Sequence, residues 1–250
     1  MKYSGILATF KPKLLNIVDI DTLANATVGA NLLIYGEIHG IQENAHVIYT
    51  LAHRLGIQRI AVEASPSVRE FIDAVRHNNY DFSLLDVDIF DASILSLEMI
   101  KTLTVLAQEG VVQEIAYIDT YFDDSEAIVG ELSDSPQKRE KELADNMLAL
   151  DDSLKSLCML GQWHTRPQPL EQNDGSMHVS ALYRVRREKP DIPFIHNVYR
   201  AGKLYNAGRV IHLPYNPQLP DFYEIKKISQ IDYTLSIPMA VKISLPVPER

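Results

Sequence analysis

The chain has a single cysteine, a single tryptophan and a shortage of positive charge, with 24 Lys and Arg against 33 Asp and Glu in 250 residues. Each deficit excludes something. Cys158 alone cannot close an intramolecular disulfide, and its apolar setting in SLCMLG reads as a packed thiol rather than a nucleophile. A net charge of -9 argues against a nucleic-acid footprint, and no block of like charges suggests an interaction tail. No run of 18 apolar residues occurs, so a membrane-spanning helix is not expected. Met1 to Asn16 lacks an apolar core of signal-peptide length before a small-residue cleavage site, which makes a cytoplasmic location the expectation. Small molecules are the expected partners, with no nucleic acid and no membrane, and nothing indicates an oligomeric state.

What is present is a repeated pattern in the first half: a short apolar run, a turn, then an amphipathic helix. Such a pattern predicts an α/β fold with a central, mainly parallel sheet flanked by helices. Leu32 to Tyr35 is the first strand, followed by a helix over Glu43 to Leu55 that Gly56 stops. Ile60 to Val62 is the next strand, and Ser65 caps a helix whose buried face is Val68, Phe71, Ile72 and Val75, ending at Asn78 and Asn79. A helix from Ser93 to Glu109, introduced by Asp91, leads into a strand over Glu114 to Ile118. The loop DDSEAIVGELSDSP has the composition of a lid, and a polar helix from Gln137 to Asp152 and a strand over Leu157 to Leu160 follow it. Beyond that the chain is less regular, with strands expected at Phe194 to Val198, Arg209 to Leu213 and Met239 to Leu245. With no repeat and no linker, residues 1–250 read as one domain: a core over about 30–170, and an extension over about 171–250 packed on it.

In an open parallel sheet the carboxyl ends of the strands share one edge, and ligands bind just outside it. Residues one or two places past each strand therefore meet: Glu37 and His39 after the first, Glu63 after the second, Asp119 after the third, and His164 after the strand ending in MLGQWH. GEIH and GQWH share the form G-x-x-H, with Gly36 and Gly161 permitting the backbone a sharp turn or a close approach to a ligand. Two histidines and a carboxylate suit a divalent metal that activates water, with His39, Glu63 and His164 as ligands. The same set works without metal, a carboxylate fixing the tautomer of a histidine that takes a proton from water. Both readings stay open at this point. Glu63, directly after a buried strand, requires a partner or a cleft. By contrast, His46 and His53 read as a solvated helix flank, and His196 as a core residue with a bonded partner.

At these residues the sequence resembles the superfamily that joins erythromycin esterases, the ChaN-type haem-binding proteins and the Tiki and TraB metalloproteases. LLIYGEIHG resembles its first motif, IAVEAS its second strand, Arg139 to Asn146 (RxxxLADN) its arginine helix, and LGQWHT its later glycine-histidine motif. The resemblance covers residues 30 to 170 and implies that Glu37, His39, Glu63 and His164 gather at one pocket with Arg139 facing it. It implies hydrolysis of an ester, lactone or amide by His-activated or metal-bound water, with Arg139 holding an oxyanion or an acidic group. Its alternatives are a haem or tetrapyrrole-binding role, ranked lower for want of a lipobox cysteine, or a pocket kept for another small ligand.

Overall fold

The computed structural model describes residues 2–64, 66–77, 95–120, 135–206 and 209–244. In chain order its elements are α1 (Lys2–Thr9), β1 (Ile17–Val18), α2 (Ile20–Ala26), β2 (Leu32–Glu37), α3 (Glu43–Leu55), β3 (Arg59–Val62) and α4 (Arg69–Arg76). They continue with α5 (Leu97–Gln108), β4 (Glu114–Tyr117), α6 (Ser135–Leu148), β5 (Ser156–Gly161), β6 (Leu170–Glu171), β7 (Met177–His178) and α7 (Ala181–Glu188). The chain closes with β8 (Phe194–Tyr199), β9 (Gly202–Asn206), β10 (Arg209–Leu213), β11 (Tyr223–Lys227) and β12 (Asp232–Ile237).

Eight strands form one sheet in the order β1-β11-β12-β8-β2-β5-β3-β4. From β12 to β4 every neighbouring pair is parallel, and only β11 against β12 is antiparallel. β2 and β5 sit in the middle with every residue buried, which is why LLIYGE and SLCMLG read as unbroken runs. Two apolar clusters flank the sheet. α3, α4 and α5 cover one face through residues such as Leu51, Phe71 and Leu103. α6 and α7 cover the other through Leu143, Ala144, Met147, Leu182 and Val185. No helix among the described residues is long and apolar enough to cross a membrane.

The expected helices over 43–55 and before Gly110 are present. Gly56 adopts φ 64° with its N–H on the Ala52 carbonyl, a left-handed stop that suits glycine. Ser96 rather than Asp91 caps α5, accepting from the Met99 N–H; Asp91, Ser93, Ser65, Asn78 and Asn79 lie outside the described residues, as does most of the acidic loop before α6. The strand expected over Met239 to Leu245 is a correction. Among the described residues that stretch makes only isolated bridges, Gly202 to Ala240 and Ile41 to Lys242. Met239 and Val241 stay exposed, so their alternation with smaller residues marks a surface segment and not a buried strand. Phe194 to Val198 does form a strand, and it enters the middle of the sheet between β12 and β2.

Candidate active site

The carboxyl ends of β2, β3, β4 and β5 bring the expected residues together. Glu37 ends β2 and is 3% exposed; its Oε1 lies 3.1 Å from His39 Nδ1. Glu63 follows β3. Its Oε1 accepts from Arg139 Nη2 at 2.8 Å and faces His164 Nε2 at 3.1 Å, while its Oε2 accepts from the Gly161 N–H at 2.7 Å. His39 Nε2 lies 3.7 Å from the same Oε2. Both histidines thus reach one carboxylate.

The two G-x-x-H motifs interlock because β2 and β5 pair in parallel with Glu37 opposite Gly161. A Cβ at Gly161 would stand 2.5 Å from His39 Nε2, and a Cβ at Gly36 would stand 2.7 Å from Thr165 Oγ1 and 2.9 Å from the Phe194 ring. The glycine of each motif therefore makes room for the other strand's turn. The close approach is to protein side chains, where approach to a ligand was the expectation, and it explains why the glycine is needed in a strand where φ is unremarkable.

Arg139 and Glu140 lie in α6, and their side chains follow from its periodicity. Each stands four residues before a buried apolar position, Leu143 and Ala144, so both point toward the sheet. Arg139 donates from Nε and Nη2 to Asp119 Oδ2, at 3.1 and 2.6 Å, as well as to Glu63. Glu140 was not anticipated as a site residue. It is 1% exposed, faces His164 Nδ1 at 2.7 Å through Oε1, and accepts the Ala181 N–H at 2.7 Å through Oε2. A third imidazole, His178, stands 3.5 Å from the same Oε1 and 3.1 Å from the Trp163 carbonyl. The only sequence signal for Glu140 was its place beside Arg139 on the inward face; for His178, in a two-residue strand, there was none.

These contacts set the charges. Burial alone would lower the His164 pKa, but the Glu63 charge and hydrogen bonds to Glu140 and Glu63 overcome it and raise the imidazole from 6.5 to about 10, so it is an imidazolium at neutral pH. Burial would raise Glu63, yet His164, His39 and Arg139 hold it well below the usual carboxylate range. His39 is also shifted upward: burial acts to lower it, and Glu37 and Glu63 outweigh burial. Burial raises Glu37 despite the bond to His39.

On this geometry the expected metal ligands offer few free donor atoms. A ligating imidazole offers one nitrogen lone pair, and both nitrogens of His164 face carboxylates. Glu63 is held at both oxygens by Arg139, His164 and the Gly161 N–H. His39, Glu63 and His164 as arranged do not fit a metal ion, and no group of three or more His, Cys, Asp or Glu among the described residues does.

Behind the first motif, a buried polar network fixes the backbone. Tyr199 Oη accepts from the Ile38 N–H at 3.4 Å and donates to Asn44 Oδ1 at 3.0 Å, and Asn44 Nδ2 donates to the Ile38 carbonyl at 2.9 Å. Asn197 Nδ2 donates to Tyr35 Oη, to Asn44 Oδ1 and to Tyr199 Oη. Both backbone polar groups of Ile38, in the peptides on either side of its Cα, are therefore held, one residue before His39. The remaining histidines are elsewhere. His46 Nδ1 accepts from the Lys13 N–H, His53 faces Glu109, and His196 is half-buried with no ring hydrogen bond among the described residues, contrary to the bonded partner expected for it.

No protein-family model matches the chain, and no curated protein matches it. Three solved structures are similar in fold. One is ChaN of Campylobacter jejuni, described with cofacially bound haem, at 10% identity and a TM-score of 0.43, covering 78% of this chain and 92% of that one. Another is RRSP, a MARTX toxin effector domain from Vibrio vulnificus, at 16% identity and 0.45, covering 86% of this chain and 40% of that one. The third is the type III effector HopBA1, at 14% identity and 0.45, covering 91% of this chain and 97% of that one. The likeness concerns the fold alone.

Proposed function

We propose that the chain is a hydrolase of an ester, lactone or amide in which His39 is the general base. The observation that carries this reading is the asymmetry of the His39 ring. Nδ1 faces Glu37 Oε1 at 3.1 Å, whereas Nε2 makes no hydrogen bond among the described residues. A carboxylate on Nδ1 fixes the tautomer with its lone pair on Nε2. In the reaction, Nε2 takes a proton from water, the resulting hydroxide bonds to the carbonyl carbon, and the bond to the leaving alkoxide or amine breaks as the imidazolium returns that proton to it. Arg139 and the His164 imidazolium hold Glu63 beside His39, so they serve as positioning residues.

A panel of model esters, lactones and amides tests the proposal. Activity should survive a chelator, be lost in His39→Ala, and rise with pH through a value above 6.5, because the base form accumulates only above the raised His39 pKa. Activity retained in His39→Ala would refute it. Haem or another tetrapyrrole is the second reading, favoured by the same unbonded Nε2. It ranks below hydrolysis because Nε2 faces the Gly161 backbone, which admits water more readily than a macrocycle. A Soret band on reconstitution, absent in His39→Ala, would reverse the ranking.

A further inference from the structure

The turn after β5 that carries His164 also walls a cavity of about 330 Å³, lined by Thr165, Arg166, Phe194, His196, Ile228 and Asp232 among others. That volume is at the lower end of small-molecule sites. Its origin is topological. Phe194 and His196 point to the same side of β8, opposite Asp232 and Thr234 of β12. The apolar cluster under α6 and α7 includes Phe194 and goes no further along this side. The Phe194 ring packs against Gly36, where a Cβ would stand 2.9 Å from it, so one wall is a flat aromatic face.

Two polar groups in this cavity lack what buried groups normally have. Arg166 Nε is buried without a hydrogen-bond partner, and among the described residues the guanidinium makes no ion pair, only a stack on Trp163 with Cζ 4.8 Å from the ring centroid. His196 likewise makes no ring hydrogen bond there. Burial lowers its pKa, so at neutral pH it adds a donor without adding charge. The one acid on the wall, Asp232, is already neutralised by Arg186 at 2.6 Å and bonded by Ser229 at 2.8 Å. The site therefore has one uncompensated positive charge, one neutral donor, and an apolar floor of Phe194, Pro167 and Ile228.

We infer that this cavity binds a small carboxylate with a flat apolar body, the carboxylate on Arg166 and His196 and the body against Phe194. A guanidinium fork matches a carboxylate in two parallel hydrogen bonds. A phosphate monoester fits less well, because the other cation beside this wall, Arg186, is already paired with Asp232 and leaves its second charge uncompensated.

Trp163 is the only tryptophan in the chain and stacks on Arg166, so its fluorescence reports on the guanidinium. Titrating the full chain with phenylacetate should give a saturable fluorescence change and a one-to-one calorimetric isotherm, with Kd of about 1 mM for a ligand of about ten heavy atoms. The neutral isostere phenylacetamide should bind about 10-fold more weakly or worse, as should phenylacetate to Arg166→Gln, since a charge-assisted pair is lost in each case. Equal binding of acid and amide by the wild-type protein, or no saturation with phenylacetate up to about 10 mM, would overturn the inference without depending on any variant's folding. His39→Ala should bind phenylacetate like the wild type, so the site stands or falls separately from the hydrolytic reading.

Discussion

Two halves of one sheet treat polar residues in opposite ways. At the carboxyl edge of β2, β3, β4 and β5, charges are paired with charges: Glu63 with Arg139 and His164, Asp119 with Arg139, and Glu140 with His164. In the half built on β8 and β12, the buried polar groups beside β2 are neutral, the hydroxyls and amides of Tyr35, Asn44, Asn197 and Tyr199. Charge can be stored at the first edge because each ion is surrounded by the opposite sign; the second stores direction, since hydroxyls and amides aim a peptide without adding a field. His39 sits where they meet, its electrostatics set by Glu37 and Glu63 and its backbone by Tyr199 and Asn44.

The largest effect should come from prising the turn that carries His39 away from β9, which packs on it from outside the large sheet. Gly40, directly after His39, has φ 77°, and a Cβ there would lie 1.6 Å from the Tyr205 carbonyl oxygen. Backbone cannot yield as a side chain can. Gly40→Ala is expected to destabilise the fold by about 4 kcal/mol or prevent folding, seen as a loss of urea midpoint. A change below about 1 kcal/mol would mean that β9 does not hold the turn after β2 there.

Next comes the charge-paired half. Glu63→Gln removes the anion that Arg139 and His164 share and should cost about 3 kcal/mol, because two cations are left under-compensated. The pH dependence sharpens the point. The His164 pKa is raised in the folded state, so its contribution to stability is full below 6.5 and is lost as pH rises through about 10. Wild-type stability should therefore decline across that window, and Glu63→Gln should flatten the decline. A wild-type urea midpoint that stays constant from neutral pH to about 10 would contradict an imidazolium at His164.

A smaller effect on stability and a larger one on function are expected from Gly161→Ala. The new methyl would meet the movable His39 ring and not backbone, so the ring shifts and the strand survives. The cost should be about 1–2 kcal/mol, whereas ester hydrolysis should fall about as far as in His39→Ala. Full activity would show that the ring's place against Gly161 is irrelevant to the reaction.

The same contrast explains what was legible in the sequence. Strands buried on both faces announce themselves as apolar runs, so β2, β3 and β5 and the residues just past them could be placed, together with Glu37, His39, Glu63 and His164. Arg139 was found only through the resemblance of RxxxLADN to an arginine helix; in the structure the apolar stripe of Leu143, Ala144 and Met147 fixes the inward face of α6. Glu140 lies on that face too, but its bond to His164 spans 24 residues and leaves no periodic trace. β12, DYTLSI, hides because it alternates Asp, Thr and Ser with apolar residues, and the more apolar MAVKISL drew the strand assignment instead. The Tyr35, Asn44, Asn197 and Tyr199 network was illegible for the same reason, its partners being up to 162 residues apart.

That network supplies the mildest test and the one that separates the halves most cleanly. Tyr199→Phe keeps the ring in the core and removes only the hydroxyl that accepts from the Ile38 N–H and from Asn197 Nδ2 and donates to Asn44. No charge is altered, so the Glu63 and His164 pairs and their alkaline stability window should persist. The loss should be about 1 kcal/mol, the cost of leaving one buried N–H without its partner. If the neutral half aims His39, hydrolysis should drop about 10-fold in kcat with KM little changed, since a misdirected base affects the transition state more than substrate binding. Tyr199→Ala, which removes the ring as well, should lower stability by about 3 kcal/mol or more, so comparing the two variants separates packing from aim. Unchanged kcat in Tyr199→Phe, at a stability cost of the expected size, would show that the network only fills the core and that the charge-paired edge positions His39 unaided.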